Sequence, residues 1–405
     1  MSPAATKAGF AVDAMLDESR IIVCCGSGGV GKTTTAAALA LRAAERGRTV
    51  CVLTIDPARR LAQSMGLTEL DNTPRPVEHI DTAAGGRLDA MMLDMKRTFD
   101  EIVLTHSEPG RAQQILDNPF YVSLSSSFAG TQEYMAMEKL GQLRATDQWD
   151  LIVVDTPPSR SALDFLDAPQ RLGRFLDGRM IKMLLAPAKA GGKAYLKVFS
   201  AGLNVFTNVL TKVLGAQVLK DLSFFVASLE TMFGGFRERA DRTYQLLKES
   251  GTSFVVVAVP ERDALREASY FVERLAEERM PLAGLVLNRV HTSAAPELSE
   301  ERSLEAVRSL DESGESALAA GVLRIHAERI TAVEHDKRRA RQFRRGHPDV
   351  RVVSVAAQPD DVHDLDGLRH IGSELANGPE ATPPTAPIPS AVSTGASSAR
   401  RRRAG

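Results

Sequence analysis

The run IIVCCGSGGVGKTTT, residues 21–35, constrains the fold more than any other stretch of the chain. Ile21 to Cys25 are apolar and read as a buried strand. Gly26 to Thr33 fit G-x-x-x-x-G-K-[ST], and an alanine-rich helix, Thr34 to Arg46, follows. Strand, glycine loop and helix N-terminus in that order make a phosphate cradle. Glycine removes the Cβ clash that stops backbone N–H groups from turning inward, and the helix dipole adds partial positive charge. In such a cradle Lys32 reaches the β- and γ-phosphates of ATP and the Thr33 hydroxyl holds Mg²⁺. The candidate nucleotide-binding residues are therefore Gly26, Ser27, Gly28, Gly29, Val30, Gly31, Lys32, Thr33 and Thr34.

Gly26, Gly28 and Gly31 also fit the dinucleotide fingerprint G-x-G-x-x-G, with Asp56 as its ribose acid. Two features favour the triphosphate loop. It requires Lys32-Thr33 directly after the last glycine, whereas the dinucleotide loop does not. A second acidic strand end, Asp155 in DLIVVD, stands where a Mg²⁺-linked aspartate belongs.

Seven apolar runs read as strands: 20–25, 49–55, 88–94, 150–155, 254–259, 282–288 and 350–355. Helical patterns separate them. The expected fold is α/β, a doubly wound, mostly parallel sheet of about seven strands with an inserted helical subdomain. Residues 1–19 form a lead-in, loose at first. Residues 20–375 form the domain, with helical insertions at about 95–148 and 170–250 and a possible break at Asn118-Pro119. The Pro/Ser/Arg composition of 376–405 reads as a disordered tail.

The 405 residues carry a formal net charge of −1, which gives no bulk attraction for nucleic acid or anionic membrane. All three cysteines, Cys24, Cys25 and Cys51, fall in strands as small core residues. No C-x-x-C is present, and reduced thiols with no signal pattern fit a cytoplasmic protein, either free or peripheral to a membrane. In the apolar region 180–236 the longest uncharged run, Val198 to Thr211, is shorter than the about 20 residues a spanning helix needs. Its helical stripes, Phe199, Leu203, Phe206, Leu210 and Val213, then Phe225, Leu229, Met232 and Phe236, suit core packing or an exposed client groove. A helix over 327–345 carries Lys337, Arg338, Arg339, Arg341, Arg344 and Arg345, either a solvated face or a surface for an anionic partner.

Phosphoryl transfer to water needs held phosphates, placed Mg²⁺, an oriented water and offset charge. Lys32 and Asp56 are the candidate catalytic residues, and Thr33 and Asp155 the candidate metal residues. Asp56 ends the second strand at the edge where open α/β sheets bind ligands. On chemistry alone, orienting a water and capping the next helix are equal readings of it.

The loop, Asp56-Pro57-Ala58, AGTQEYMAMEKL at 129–140, DTPP at 155–158, LDFLDAP at 163–169, Pro260-Glu261 and Leu287-Asn288 together resemble the ArsA-type anion-pump and guided-entry ATPases. These belong to the MinD-like branch of P-loop NTPases, and the resemblance covers roughly residues 20–375. It implies an ATPase whose nucleotide state opens and closes a helical surface for membrane-protein clients or a transport partner. It also implies that Asp56 activates water in switch I and Asp155 opens switch II. Asn288 would contact adenine, and Glu261 would touch nucleotide across a dimer interface.

Three departures shape these expectations. Ser27 stands where the branch carries a lysine that crosses to the partner's phosphates, so a heterodimer with a related ATPase supplying that lysine is expected beside a homodimer. Ser159-Arg160-Ser161 replaces T-G-H after the switch II proline. The guided-entry zinc pair and an arsenite-binding cysteine triad are both missing. The competing readings are a MinD- or ParA-like partitioning switch and a weakly hydrolysing nucleotide-binding subunit. Nucleic acid is not an expected partner.

Overall fold

The computed structural model describes residues 11–56, 60–127, 131–157, 221, 224–225 and 238–378. Ser159-Arg160-Ser161, most of the apolar insertion and residues 379–405 lie outside that set, as do Pro57, Ala58 and the LDFLDAP run.

One sheet organises the chain. Its strands are β1 (Ile21–Cys25), β2 (Thr49–Thr54), β3 (Arg75–Pro76), β4 (Arg87–Met92), β5 (Leu151–Asp155), β6 (Thr252–Ala258), β7 (Leu282–Val290) and β8 (Val352–Ala356). They lie in the order β3-β4-β2-β5-β1-β6-β7-β8. Every neighbouring pair is parallel except β3 with β4. The seven long strands are those read from apolar runs. The eighth, β3, is two residues with a proline on the sheet edge, too short for any periodicity to reveal.

Parallel strands buried on both faces need continuous apolar runs rather than alternation, and IIVCC and LIVVD are buried throughout. Successive side chains of β1 feed two cores. Ile21, Val23 and Cys25 pack on one face, and Ile22 and Cys24 on the other. The second face is covered by α2 (Lys32–Glu45), whose six buried alanines let the helix lie close to the sheet. Leu39 and Leu41, fully buried there, contribute roughly 1.5–3 kcal/mol each.

The lead-in is more ordered than expected. Val12, Met15 and Leu16 recur at i, i+3 and i+4 and bury one face of α1 (Val12–Glu18). Arg42 of α2 donates through Nε and Nη2 to the two oxygens of Asp13, at 2.7 and 2.9 Å, and the Asp13 carboxyl is held below its usual range mainly by that bond.

The first helical insertion forms α4 (Met95–His106), α5 (Pro109–Leu116), α6 (Pro119–Ser127) and α7 (Thr131–Thr146), after the short α3 (Arg60–Ser64). Proline opens α5 and α6, since it lacks the N–H that a first-turn position leaves unpaired. The break at Pro119 is the one expected; Pro109 adds another. Asp94 belongs to α4 rather than to the strand, because its carboxylate caps the Arg97 N–H at 2.9 Å. Phe225, from the second stripe, is buried and stacks on Phe120 at 6.4 Å between ring centroids.

Further helices include α8 (Arg262–Glu277), α9 (Glu300–Ser313), α10 (Ala317–Gly346) and α11 (Leu365–Asn377). The basic helix is thus α10, and it begins ten residues before its expected start. Residues 291–334 make a second compact unit, an α9–α10 hairpin turned at Gly314. Inside it Arg324 pairs with Asp311 at 2.6 Å, and Leu318, Val322 and Ile325 stand exposed at helical spacing. Among the described residues no helix is long and apolar enough to cross a membrane.

Candidate nucleotide site

The C-terminal ends of β1, β2, β5 and β6 converge, and the parallel register sets which residues share a level. Cys24 pairs with Asp155, which in turn pairs with Thr54. The phosphate loop leaves β1 at this edge.

Two glycines fix its path. A Cβ on Gly26 would collide with the Val257 carbonyl oxygen of β6, so only glycine lets the loop turn away from the strand so near its neighbour. Gly31 has φ +90°, and its missing Cβ leaves space that the Asn288 amide occupies. Asn288, two residues from the end of β7, donates from Nδ2 to the Val30 carbonyl at 2.9 Å and so ties the loop to the far strand.

Lys32 begins α2 and is only 5 % exposed. Its Nζ donates to the Ser27 carbonyl at 2.7 Å, curling the ammonium back over the loop. Burial lowers its pKa, while the charge of Asp155 works against that shift. Lys32 is therefore a cation taken out of water and held over the loop's open centre.

Thr33 donates from Oγ1 to Asp155 Oδ2 at 2.8 Å, and Thr54 donates to the same oxygen at 2.9 Å. The other carboxylate oxygen, Asp155 Oδ1, is buried and has no hydrogen-bond partner among the described residues. Burial pushes the Asp155 carboxyl up to about 6, against the two hydroxyl bonds and the Lys32 charge. A buried carboxylate oxygen is costly to leave unpaired unless a cation or its water completes it. The structure thus brings the two candidate metal residues, Thr33 and Asp155, into contact, and the spare carboxylate oxygen beside them suits a cation such as Mg²⁺.

Asp56 lies two residues beyond β2 at the same edge, half-buried, with its N–H on Thr54 Oγ1 at 3.2 Å. Glu261 follows β6, exposed, at the N-cap of α8 without a side-chain cap bond. Asn288, by contrast, lines a cavity of about 500 Å³ beside the loop, with Gly31, Thr34, Arg289, Ile371 and the 356–362 segment. Its size and position suit a nucleoside. Asn288 thus joins the loop to this cavity, whereas Glu261 stands exposed outside it.

Three parts went unread in the sequence. Thr54 completes the Asp155 cluster, and Thr156 donates to the Cys24 carbonyl at 2.8 Å, locking β5 to β1 as the chain leaves the sheet. The 356–362 segment walls the cavity beside the loop. The rule that ligands sit beyond the carboxyl ends of parallel strands pointed to it, since it follows β8.

This fold and loop define a P-loop nucleotide-binding protein. The profile of the anion-transporting ATPase family matches residues 19–313, so the chain belongs to that family and is an ATPase. Protein Rv2184c of Mycobacterium tuberculosis is 28% identical over 300 residues, covering 66% of this chain and 68% of that one. The ATPase GET3 of Malassezia globosa is 25% identical over 279 residues, 68% of this chain and 75% of that one. A putative arsenical pump-driving ATPase of Halobacterium salinarum is 29% identical over 186 residues, but the match spans only 28% of its length.

Proposed function

We propose that this chain is a Mg-ATP-driven switch in which ATP binding and hydrolysis open and close a helical surface that receives a membrane protein or a membrane transport partner. The observation that carries the reading is the Asp155 cluster: two threonine hydroxyls, one from the phosphate loop, share one carboxylate oxygen while the other is buried and has no partner among the described residues. Mg²⁺ bound there would offset charge on the β- and γ-phosphates. The chain's own groups do the rest. Lys32 exchanges its bond to Ser27 for a phosphate oxygen, the loop N–H groups hold the remaining oxygens, and Asp56 orients the attacking water. The names of the GET3 and arsenical-pump relatives support membrane-linked work as the output.

We assign dimerisation to this switch, with Glu261 reaching a partner's nucleotide. Ser27 favours a related ATPase that carries the missing lysine as that partner, because Lys32 is the one cation of the loop.

The test is steady-state ATP turnover with Mg²⁺, for wild type and Asp56→Asn, alone and with candidate partner subunits. The expected outcome is turnover in wild type and ATP binding without turnover in the variant. Absence of turnover in wild type with every partner defeats the switch. A pull-down with Asp56→Asn held in ATP then asks whether membrane-protein clients are enriched.

A further inference from the structure

We propose that the cleft between α8 and the last three turns of α10 is a second anion site, distinct from the nucleotide loop, that takes a compact ligand carrying clustered phosphate groups.

The cleft measures about 600 Å³ and is lined by Arg262 and Arg266 of α8 and by Arg338 and Arg339 of α10, with His347 at its end. Leu265 and Phe343, both buried, form an apolar floor. A second hollow lies on the same helix between Arg338, Arg341 and Arg345. Positions 338, 341, 342 and 345 are spaced i, i+3, i+4 and i+7, so one helix face presents this row.

Two observations separate this cluster from an ordinary solvated face. First, its charges are uncompensated. Asp263 pairs with Arg266 at 3.1 Å, but among the described residues Arg262, Arg338, Arg339, Arg341 and Arg345 have no carboxylate partner. In a chain of net charge −1, these five guanidiniums, three lining the cleft and two the adjoining hollow, repel one another unless an anion enters. Second, the cleft is shaped and anchored. Arg339 donates from Nη1 to the Pro260 carbonyl at 2.7 Å, fixing α10 to the turn that leads from β6 into α8.

The side-chain chemistry narrows the ligand. Every fully charged group here is arginine, whose planar fork engages two oxygens at once, and the apolar floor strengthens each such contact by displacing water. One carboxylate would neutralise one of the five charges, whereas a di- or triphosphate group answers several within one cleft. A soluble polyphosphate and a lipid headgroup with two phosphates share that chemistry.

The test uses full-length protein in excess Mg-ADP, titrated with sodium tripolyphosphate or with phosphatidylcholine vesicles containing cardiolipin. Binding to either is expected. Arg262→Gln and Arg338→Gln should each weaken it on the order of tenfold. Lys32→Ala should leave it unchanged. Arg344→Gln, a neighbouring exposed arginine that lines neither hollow, should also leave it unchanged. Tripolyphosphate binding identifies a soluble ligand, and binding to cardiolipin vesicles alone identifies a headgroup. The proposal is overturned by no binding to either probe, by equal loss in Arg344→Gln, or by loss in Lys32→Ala with retention in the arginine variants. Equal affinity for poly-glutamate would overturn it in favour of an acidic protein segment. Arg338→Lys, which keeps the charge and loses the fork, guards against misfolding. It should fold as wild type and bind several-fold more weakly.

Discussion

The phosphate loop and the arginine cleft both offer positive charge to an anion, by opposite means. In the loop one lysine is buried, its pKa is lowered by desolvation, and much of the field comes from backbone N–H groups and a helix end. In the cleft several guanidiniums stand in or near water above an apolar floor. The loop concentrates energy in a few preorganised groups, each hard to replace. The cleft spreads it over many replaceable side chains. One design suits catalysis, where groups must not reorganise during reaction; the other suits reversible capture.

The contrast can be broken most decisively at Lys32. Lys32→Ala should reduce ATP turnover by about a thousandfold, measured under saturating Mg²⁺. No single arginine of the cleft should approach that loss, and one that does would erase the distinction. Gly26→Ala forces a side chain against the Val257 carbonyl and should cost about 2–3 kcal/mol, read as a lower urea midpoint with an unchanged slope. Asp155→Asn keeps an acceptor for the two threonines but removes the charge. Turnover should fall about 10–100-fold with a raised Mg²⁺ requirement, seen in a Mg²⁺ titration of rate.

Ionic strength gives a smaller, sharper separation. Raising salt should weaken tripolyphosphate capture by the exposed cleft several-fold and ADP binding by the buried loop much less, because screening acts on solvent-facing charge. Equal salt sensitivity would mean that the two sites are built alike. The smallest effect is an expected silence: burial pushes the Cys25 thiol up to about 12, so iodoacetamide at pH 8 should leave it unlabelled until the protein unfolds.

The parts of the site that follow from local pattern were legible in the sequence. The glycine loop, Lys32, Thr33 and Asp155 are set by a contiguous motif and a strand-ending acid, and the register then brings Thr33 and Asp155 together. Thr54 escaped notice because its role depends on β2 lying beside β5, a neighbour relation between segments about 100 residues apart. The lead-in helix escaped because seven residues carry little periodicity, and the Arg42–Asp13 pair that anchors it is a tertiary contact. In the basic helix the composition was plain. What composition could not supply was the facing helix, with Arg262 and Arg266 across a cleft.

The strand order also bears on how the chain is made. β1 precedes both of its sheet neighbours, β5 and β6, in the chain. Cys25 waits 230 residues for the Val255 carbonyl, and Cys24 waits 132 for the Thr156 hydroxyl. At about 5–20 residues per second the central strand has two bare edges for roughly 7–26 s, until β5 is made, and still one bare edge until roughly 12–46 s, when β6 follows. A nascent chain stalled before residue 252 would carry a finished glycine motif on a strand that cannot yet hold it, with an adhesive edge open to the wrong neighbour. Nucleotide can therefore stabilise this protein only after β6 has left the ribosome, and the lengthy interval before that favours early shielding of β1 by the alanine-rich helix that follows it.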